Sequence, residues 1–292
     1  MRKFSKIVLG AAAVLTVAGL GLSTGGVVMG ASLFELDLKQ YSGVHGVGRL
    51  FRLVDWDGDW DDWDEDWDED WDEDSGKILS LNDDGVYTAD SVSELELHLK
   101  YDELILQESD GDEVTVRVSG DEEDNVRLKQ EGGELEIESR RKADDRTVTV
   151  SYPADTEFHK VSIEVEQGIV SLDDDLDADE LEVSVGAGTF DNSSVVTARE
   201  ADIEVGAGTI ELSELDAQKI SAECGMGSME LSLAGAYEDY SYSLECGAGS
   251  ISLGDEGEYS GVGTSRKVKN PNASRRMEIE CGMGEVNVDF EE

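Results

Sequence analysis

The sequence predicts an all-β protein, a β-solenoid of about 20-residue rungs behind one N-terminal transmembrane helix and an acidic linker. Three observations predict it. A glycine-paired motif recurs through the C-terminal half at a nearly fixed period. Apolar and polar residues alternate with period two on both sides of each copy, which is the strand signal. Helix-period apolar patterns are absent beyond residue 76, while one uncharged run near the N-terminus is long enough to cross a bilayer.

Residues 1–6, MRKFSK, form a basic stub carrying Arg2, Lys3 and Lys6. Residues 7–31 follow without a single charge. Positive charge on the N-terminal flank places that end in the cytoplasm and everything after the span outside. The segment therefore reads as a single-pass anchor in the cell membrane. A cleaved signal peptide is the rival reading, with Gly30 and Ala31 as the small residues a peptidase needs. Either way the remainder is extracytoplasmic.

Residues 32–76 form a linker, and its residues 55–74 are WDGDW-type repeats. Residues 55–75 hold 14 acidic side chains and no basic one, within a chain of net charge −46. So negative a chain repels phosphates, so nucleic acid is excluded as a partner. Cations, cationic peptides and basic surfaces remain. All five tryptophans lie here, at Trp56, Trp60, Trp63, Trp67 and Trp71. That spacing puts them on one face of a helix. Asp is a poor helix former and like charges oppose each other, so the segment is expected to be disordered alone in water. A cationic partner would remove the repulsion and let the tryptophans bury themselves, aided by cation–π contact. Two other readings stand beside capture of such a partner: an extended tether, and a Ca²⁺ site. Asp55, Asp57 and Asp59 begin like an EF-hand loop, but Trp60 stands where its glycine belongs.

Residues 77–163 alternate as strands at LELHL (95–99), LILQ (104–107), VTVRV (114–118), VRLKQ (126–130), LEIES (135–139) and TVTVSYP (147–153). They are expected to form the irregular N-terminal part of the solenoid and its cap. Residues 164–292 carry the regular repeat. SVGAGTF (184–190), EVGAGTI (204–210), ECGMGSM (223–229), ECGAGSI (245–251) and ECGMGEV (280–286) are its copies, with EVEQGIV (164–170) a degenerate first one. The second glycines are spaced by 20, 20, 19, 22 and 35 residues. A fixed period of this size means stacked units, each unable to bury a face alone. The last spacing marks a basic insertion at 254–276. A sandwich of hairpins is the competing architecture.

In-register stacking would turn repeat positions into columns. Val185, Val205, Cys224, Cys246 and Cys281 share an inward one. Buried thiols are the simplest reading. A disulfide between Cys224 and Cys246, as neighbours in sequence order, is the alternative. One thiol column offers too few ligands for a metal. The preceding residue points outward: Ser184, Glu204, Glu223, Glu245 and Glu280. This is a solvated acidic face or, because oxygen-rich columns suit Ca²⁺, a metal ladder of Glu204, Glu223, Glu245 and Glu280. Ca²⁺ is the one cofactor left open. Arg266, Lys267, Lys269, Arg275 and Arg276 make the densest basic cluster outside residues 1–6. They would neutralise nearby carboxylates, grip an anionic polymer or lipid headgroup, or dock the Trp-Asp segment.

Strands ending in Tyr152-Pro153, followed by serial rungs with Gly-x-Gly turns, resemble the DUF4097 adhesin-type family over residues 80–290. The resemblance implies a bacterial β-strand-repeat envelope protein, often behind an N-terminal membrane segment. It supplies no catalytic residues. The three histidines (His45, His98, His159) supply acid–base chemistry poorly, and the one long insertion contains none. A lyase on a β-helix is therefore disfavoured, and no enzyme is expected. The expected function is a membrane-anchored binding or sensing module, with a structural or adhesive surface element as the alternative. Self-association through solenoid ends remains open.

Overall fold

The computed structural model describes residues 77–79, 85–89, 91–121, 125–139, 146–254, 257–260 and 263–291. The expected anchor at 7–31 and the Trp-Asp segment at 55–74, with Trp56, Trp60, Trp63, Trp67 and Trp71, lie outside these residues. Among the described residues no helix is long and apolar enough to cross a membrane.

The all-β expectation holds. Among the described residues twenty-one strands join one continuous sheet, and the only helical element there is a 3-10 turn at Tyr237–Asp239. The sheet coils into a nearly closed, barrel-like wall round one apolar core. Its long-strand side contains β3 (Glu94–Leu99), β9 (Glu157–Val165), β11 (Leu176–Val185), β13 (Val195–Val205) and the second half of β14 (Thr209–Cys224). Its short-strand side contains β4 (Glu103–Ser109), β10 (Ile169–Leu172), β12 (Thr189–Asn192), the first half of β14 and β15 (Ser228–Ala234). Neighbours pair in parallel with the period of the repeat: Val165 opposes Val185, which opposes Val205. On the other side Val170 opposes Phe190, which opposes Ile210.

The alternation sets which face is inside. In β11, Leu181, Val183 and Val185 are buried while Glu182 and Ser184 face outward. Asp179 and Glu180, both facing out, follow each other in that strand. The ladder to β13 skips Asp179, and the strand bends there. Each long strand thus turns part of the way round the core by itself.

Both ends of the coil break sequence order. At one end β7 (Glu134–Ser139) and β8 (Thr147–Pro153) stack in parallel on the outside of β3 and β4. Antiparallel β6 (Val126–Glu131) and β5 (Val114–Ser119) cover them, followed by β1 (Lys77–Leu79) and β2 (Val86–Ala89). At the other end β16 (Tyr240–Cys246) and β17 (Ser250–Leu253) are covered by antiparallel β19 (Thr264–Val268) and β18 (Gly257–Ser260). The chain then returns. Its last rung, β20 (Arg275–Cys281) and β21 (Glu285–Glu291), inserts between the β14–β15 rung and the β16–β17 rung.

This insertion corrects the expected columns. Cys224 opposes Cys281, and Cys281 opposes Cys246. Cys224 and Cys246 are two strand spacings apart, about 9.6 Å, which no disulfide spans. All three are buried free thiols. The outward column runs Ser184, Glu204, Glu223, Glu280, Glu245. The physical reason is that an inserted parallel strand completes two hydrogen-bond ladders, whereas a terminal one completes a single ladder and leaves an open edge.

Candidate functional site

The corner between the two sides is built from glycine. Gly186, Gly206 and Gly225, and beside them Gly188, Gly208 and Gly227, stack rung upon rung. A Cβ on Gly208 would lie 2.2 Å from the carbonyl oxygen of Gly188, so only glycine permits this approach. The ladder continues unbroken through the turn: the Ala207 N–H donates to the Gly186 carbonyl at 2.8 Å, and the Thr209 N–H to Gly188 at 2.9 Å. The middle residue of each turn stands at the tip. Along the coil these are Ala187, Ala207, Met226, Met283 and Ala248.

Outward positions beside this corner make an acidic wall. Glu204, Glu223, Glu280 and Glu245 succeed one another on adjacent strands. Cations at the wall are held in pairs. Lys160 meets Glu182 at 2.8 Å, and Lys219 meets Glu200 at 2.9 Å. The strongest clamp is His98, whose Nε2 meets Glu96 and whose Nδ1 meets Glu164, each at 3.2 Å. With carboxylates on both nitrogens the ring is doubly protonated and donates twice. The Glu164 hydrogen bond foremost, working against burial, pushes its pKa up to about 9. Glu164 is lowered in return by the same bond. Elsewhere carboxylates rise: burial pushes Glu166 up, and burial with neighbouring Glu211 and Asp173 pushes Asp191 up.

The short-strand side carries a groove enclosing about 410 Å³. Glu211, Glu230 and Asp289 line it with Asn287, Ser213 and Ser232. It lies where β14 and β15 slip register between Leu212 and Leu215, a β-bulge of the kind that re-aims side chains. No sequence pattern pointed to it, because the lining residues, Ser252 of β17 included, come from four rungs and β21 reaches them out of order.

The structure does not bring the predicted basic cluster together. Arg275 is tied internally, with Nη1 at 2.7 Å from Asp216 and donating to the Ala234 carbonyl at 3.1 Å. Arg276 faces Glu278 at 3.5 Å. Arg266 and Lys267 lie on the cap strand β19, with Lys269 just beyond. Arg266 opposes Leu244, Tyr259 opposes Ile251, and the guanidinium sits 4.5 Å over the Tyr259 ring. This pair closes the end of the core with a charge, which also discourages another strand from docking there. The opposite cap likewise carries Arg117, Arg127 and Lys129 on β5 and β6. Basic side chains are thus present on both caps, beside carboxylates such as Glu131 and Glu258.

The Ca²⁺ ladder is the alternative to a solvated acidic face. Among the described residues no three His, Cys, Asp or Glu side chains converge to hold a metal. Glu204, Glu223, Glu280 and Glu245 follow one another from strand to strand along a column.

Sequence reasoning missed a buried polar network at the N-terminal end. Arg146 is fully buried and its Nε donates to Asp102; Nη1 lies 3.6 Å from Asp121. The Ser139 hydroxyl also donates to Asp102, and Asp121 accepts from the Val126 N–H at 2.9 Å. These residues occupy the same corner that glycine occupies further along, since the Ile169 N–H donates to the Asp102 carbonyl at 3.0 Å. Isolated charges in loops carry no periodic signal that could have revealed them.

Fold and surface define a class: a repeat-built, all-β coil with an acidic wall and capped ends. The family described as "Putative auto-transporter adhesin, head GIN domain", DUF2807, matches residues 99–255. The chain belongs to this family. The adhesin-type relationship read from the sequence holds at that level, although the matching family is not DUF4097. No curated protein matches the chain. Among solved structures, a "putative adhesin" from Bacteroides fragilis is 13% identical, with a TM-score of 0.44 over 73% of this chain and 98% of the other. A "putative cell adhesion protein" from Clostridium sporogenes is 11% identical, with a TM-score of 0.34 over 74% of this chain and 100% of the other. A "putative adhesin" from Parabacteroides distasonis is 15% identical, with a TM-score of 0.34 over 73% and 97%.

Proposed function

We propose that this is a non-enzymatic, membrane-anchored extracytoplasmic module of the bacterial envelope that binds or senses cationic peptides or basic surfaces. The coil is read as a β-solenoid of about 20-residue rungs, held outside the membrane by residues 7–31 and spaced from it by the linker. The observation that carries the reading is the charge layout. Carboxylates succeed one another along the wall, where Lys160 and Lys219 are already engaged by Glu182 and Glu200. An approaching cation meets a net negative field that raises its local concentration and its rate of association. The Trp-Asp segment would add five aromatic faces to the same attraction. Membership of an adhesin-described family favours a second reading, adhesion to another surface with the acidic segment as a tether only.

Tryptophan emission separates the two, because all five tryptophans lie in the linker. Adding a cationic amphipathic peptide to the full-length chain is expected to shift the emission to the blue, and high salt to reverse the shift. A spectrum unchanged by the peptide would leave the segment a tether. A shift with Ca²⁺ alone would assign it to cation binding instead.

A further inference from the structure

Met226 and Met283 are 57 positions apart in the sequence, yet they are neighbours in the fold. The inserted last rung brings them together: Cys224 opposes Cys281 and Ser228 opposes Glu285. The Met283 N–H donates to the Gly225 carbonyl at 2.7 Å. The two side chains stand side by side at the corner tip, about 4.8 Å apart along the coil. At 36% and 46% exposure they are the exposed large hydrophobics among the described residues. The same tip position holds alanine on the flanking rungs, at Ala207 and Ala248. An unbranched thioether adapts to varied apolar partners and is over-used at permissive binding surfaces.

The surroundings of this pair are acidic on both sides. Glu223 and Glu280 precede the two turns on the long-strand side. On the short-strand side Glu285 follows Met283, and strands β15 and β21 run on into the groove lined by Glu230 and Asp289. At strand rise, the groove's Glu230 lies about 13 Å along the chain from Met226. We propose that the Met226–Met283 ridge and this groove form one docking surface for a short amphipathic cationic peptide segment. Its apolar side chains would cover the methionines, and a Lys or Arg about 13 Å further along would enter the groove. Charge complementarity selects this occupant over an anionic or neutral one. The inference rests on the cationic-partner reading above and adds to it the place of engagement.

Methyl-labelled methionine NMR of the full-length chain, titrated with a synthetic 14-residue Leu/Lys helical peptide, tests it. The Met226 and Met283 methyl signals are expected to move, while those of buried Met229 and Met277 stay. Replacing both tip residues (Met226→Ser with Met283→Ser) is expected to weaken binding on the order of tenfold, as expected of central apolar contacts. Glu230→Gln with Asp289→Asn is expected to weaken it further and to flatten its salt dependence. Tryptophan emission is read in the same titration. Shifted emission with motionless Met226 and Met283 methyls would overturn the ridge and leave capture by the linker standing. Unchanged affinity in the double methionine variant would overturn the ridge as well. No response in either signal would overturn both readings.

Discussion

One corner of the coil is built in two ways. In the C-terminal half it is a stack of glycines whose backbones touch, so each rung repeats the last and the wall stays regular. In the N-terminal half the same corner is filled by buried Arg146, Asp102 and Ser139, hydrogen-bonded through Asp102, with Asp121 in ion-pair contact with Arg146. The first solution depends on an absent side chain at every turn. The second depends on every member of one network being present. The glycine half can therefore vary the residue at the turn tip without disturbing the core, and it is there that the exposed methionines and the groove occur. The N-terminal half is closed and specialised for ending the stack.

The largest expected effect comes from the polar corner. Arg146→Leu leaves Asp102 buried without its cation and is expected to cost about 3–5 kcal/mol in urea unfolding. Adding Asp102→Leu should recover much of that loss, because the uncompensated charge is then gone; a double variant as weak as the single would mean that shape, not charge, is what the corner needs. Next comes the glycine corner. Gly208→Ala forces the backbone to yield and is expected to cost about 1–3 kcal/mol. An unchanged midpoint would show that the rungs are less closely stacked than 2.2 Å implies.

His98 provides a smaller, pH-dependent effect at the boundary between the halves. Its folded pKa, about 9, lies above its ordinary value of 6.5. The protonated ring therefore stabilises the fold fully below about pH 6.5, and this contribution fades as pH rises through about 9. The side chain is more than a third exposed, so screening leaves about 1 kcal/mol. His98→Gln should remove the excess loss of stability between pH 7 and 10 in thermal melts. The smallest effect is expected for Cys224→Val, under about 1.5 kcal/mol, because valine already fills the column at Val185 and Val205. A larger loss would show that the thiol bond to the Gly227 carbonyl, at 3.3 Å, matters to the corner.

The glycine half was legible in the sequence because its physics is local and repeated. A Gly-x-Gly turn between alternating strands fixes inward and outward faces, and β11 buries the residues its alternation marks. Strands at 95–99, 114–118 and 147–153 were legible for the same reason. Rung order at the C-terminal end was not. A copy such as ECGMG can pair with any neighbour of the same pattern, and the choice is made by open edges far away in sequence. The shared ECGMG of 223–227 and 280–284 was the available hint that these two rungs touch. The groove and the methionine ridge depend on that order, so they stayed hidden with it. The Arg146 corner was hidden because a buried ion pair needs only two residues, placed in loops without period.

Hydrogen exchange of the full-length chain, with and without the Leu/Lys peptide, tests most directly the claim that the glycine-cornered half carries the binding surface. Slowed exchange confined to residues 223–232 and 280–291 within the coil is the expected result. Slowed exchange centred on residues 94–139, or none anywhere in the coil, would contradict it.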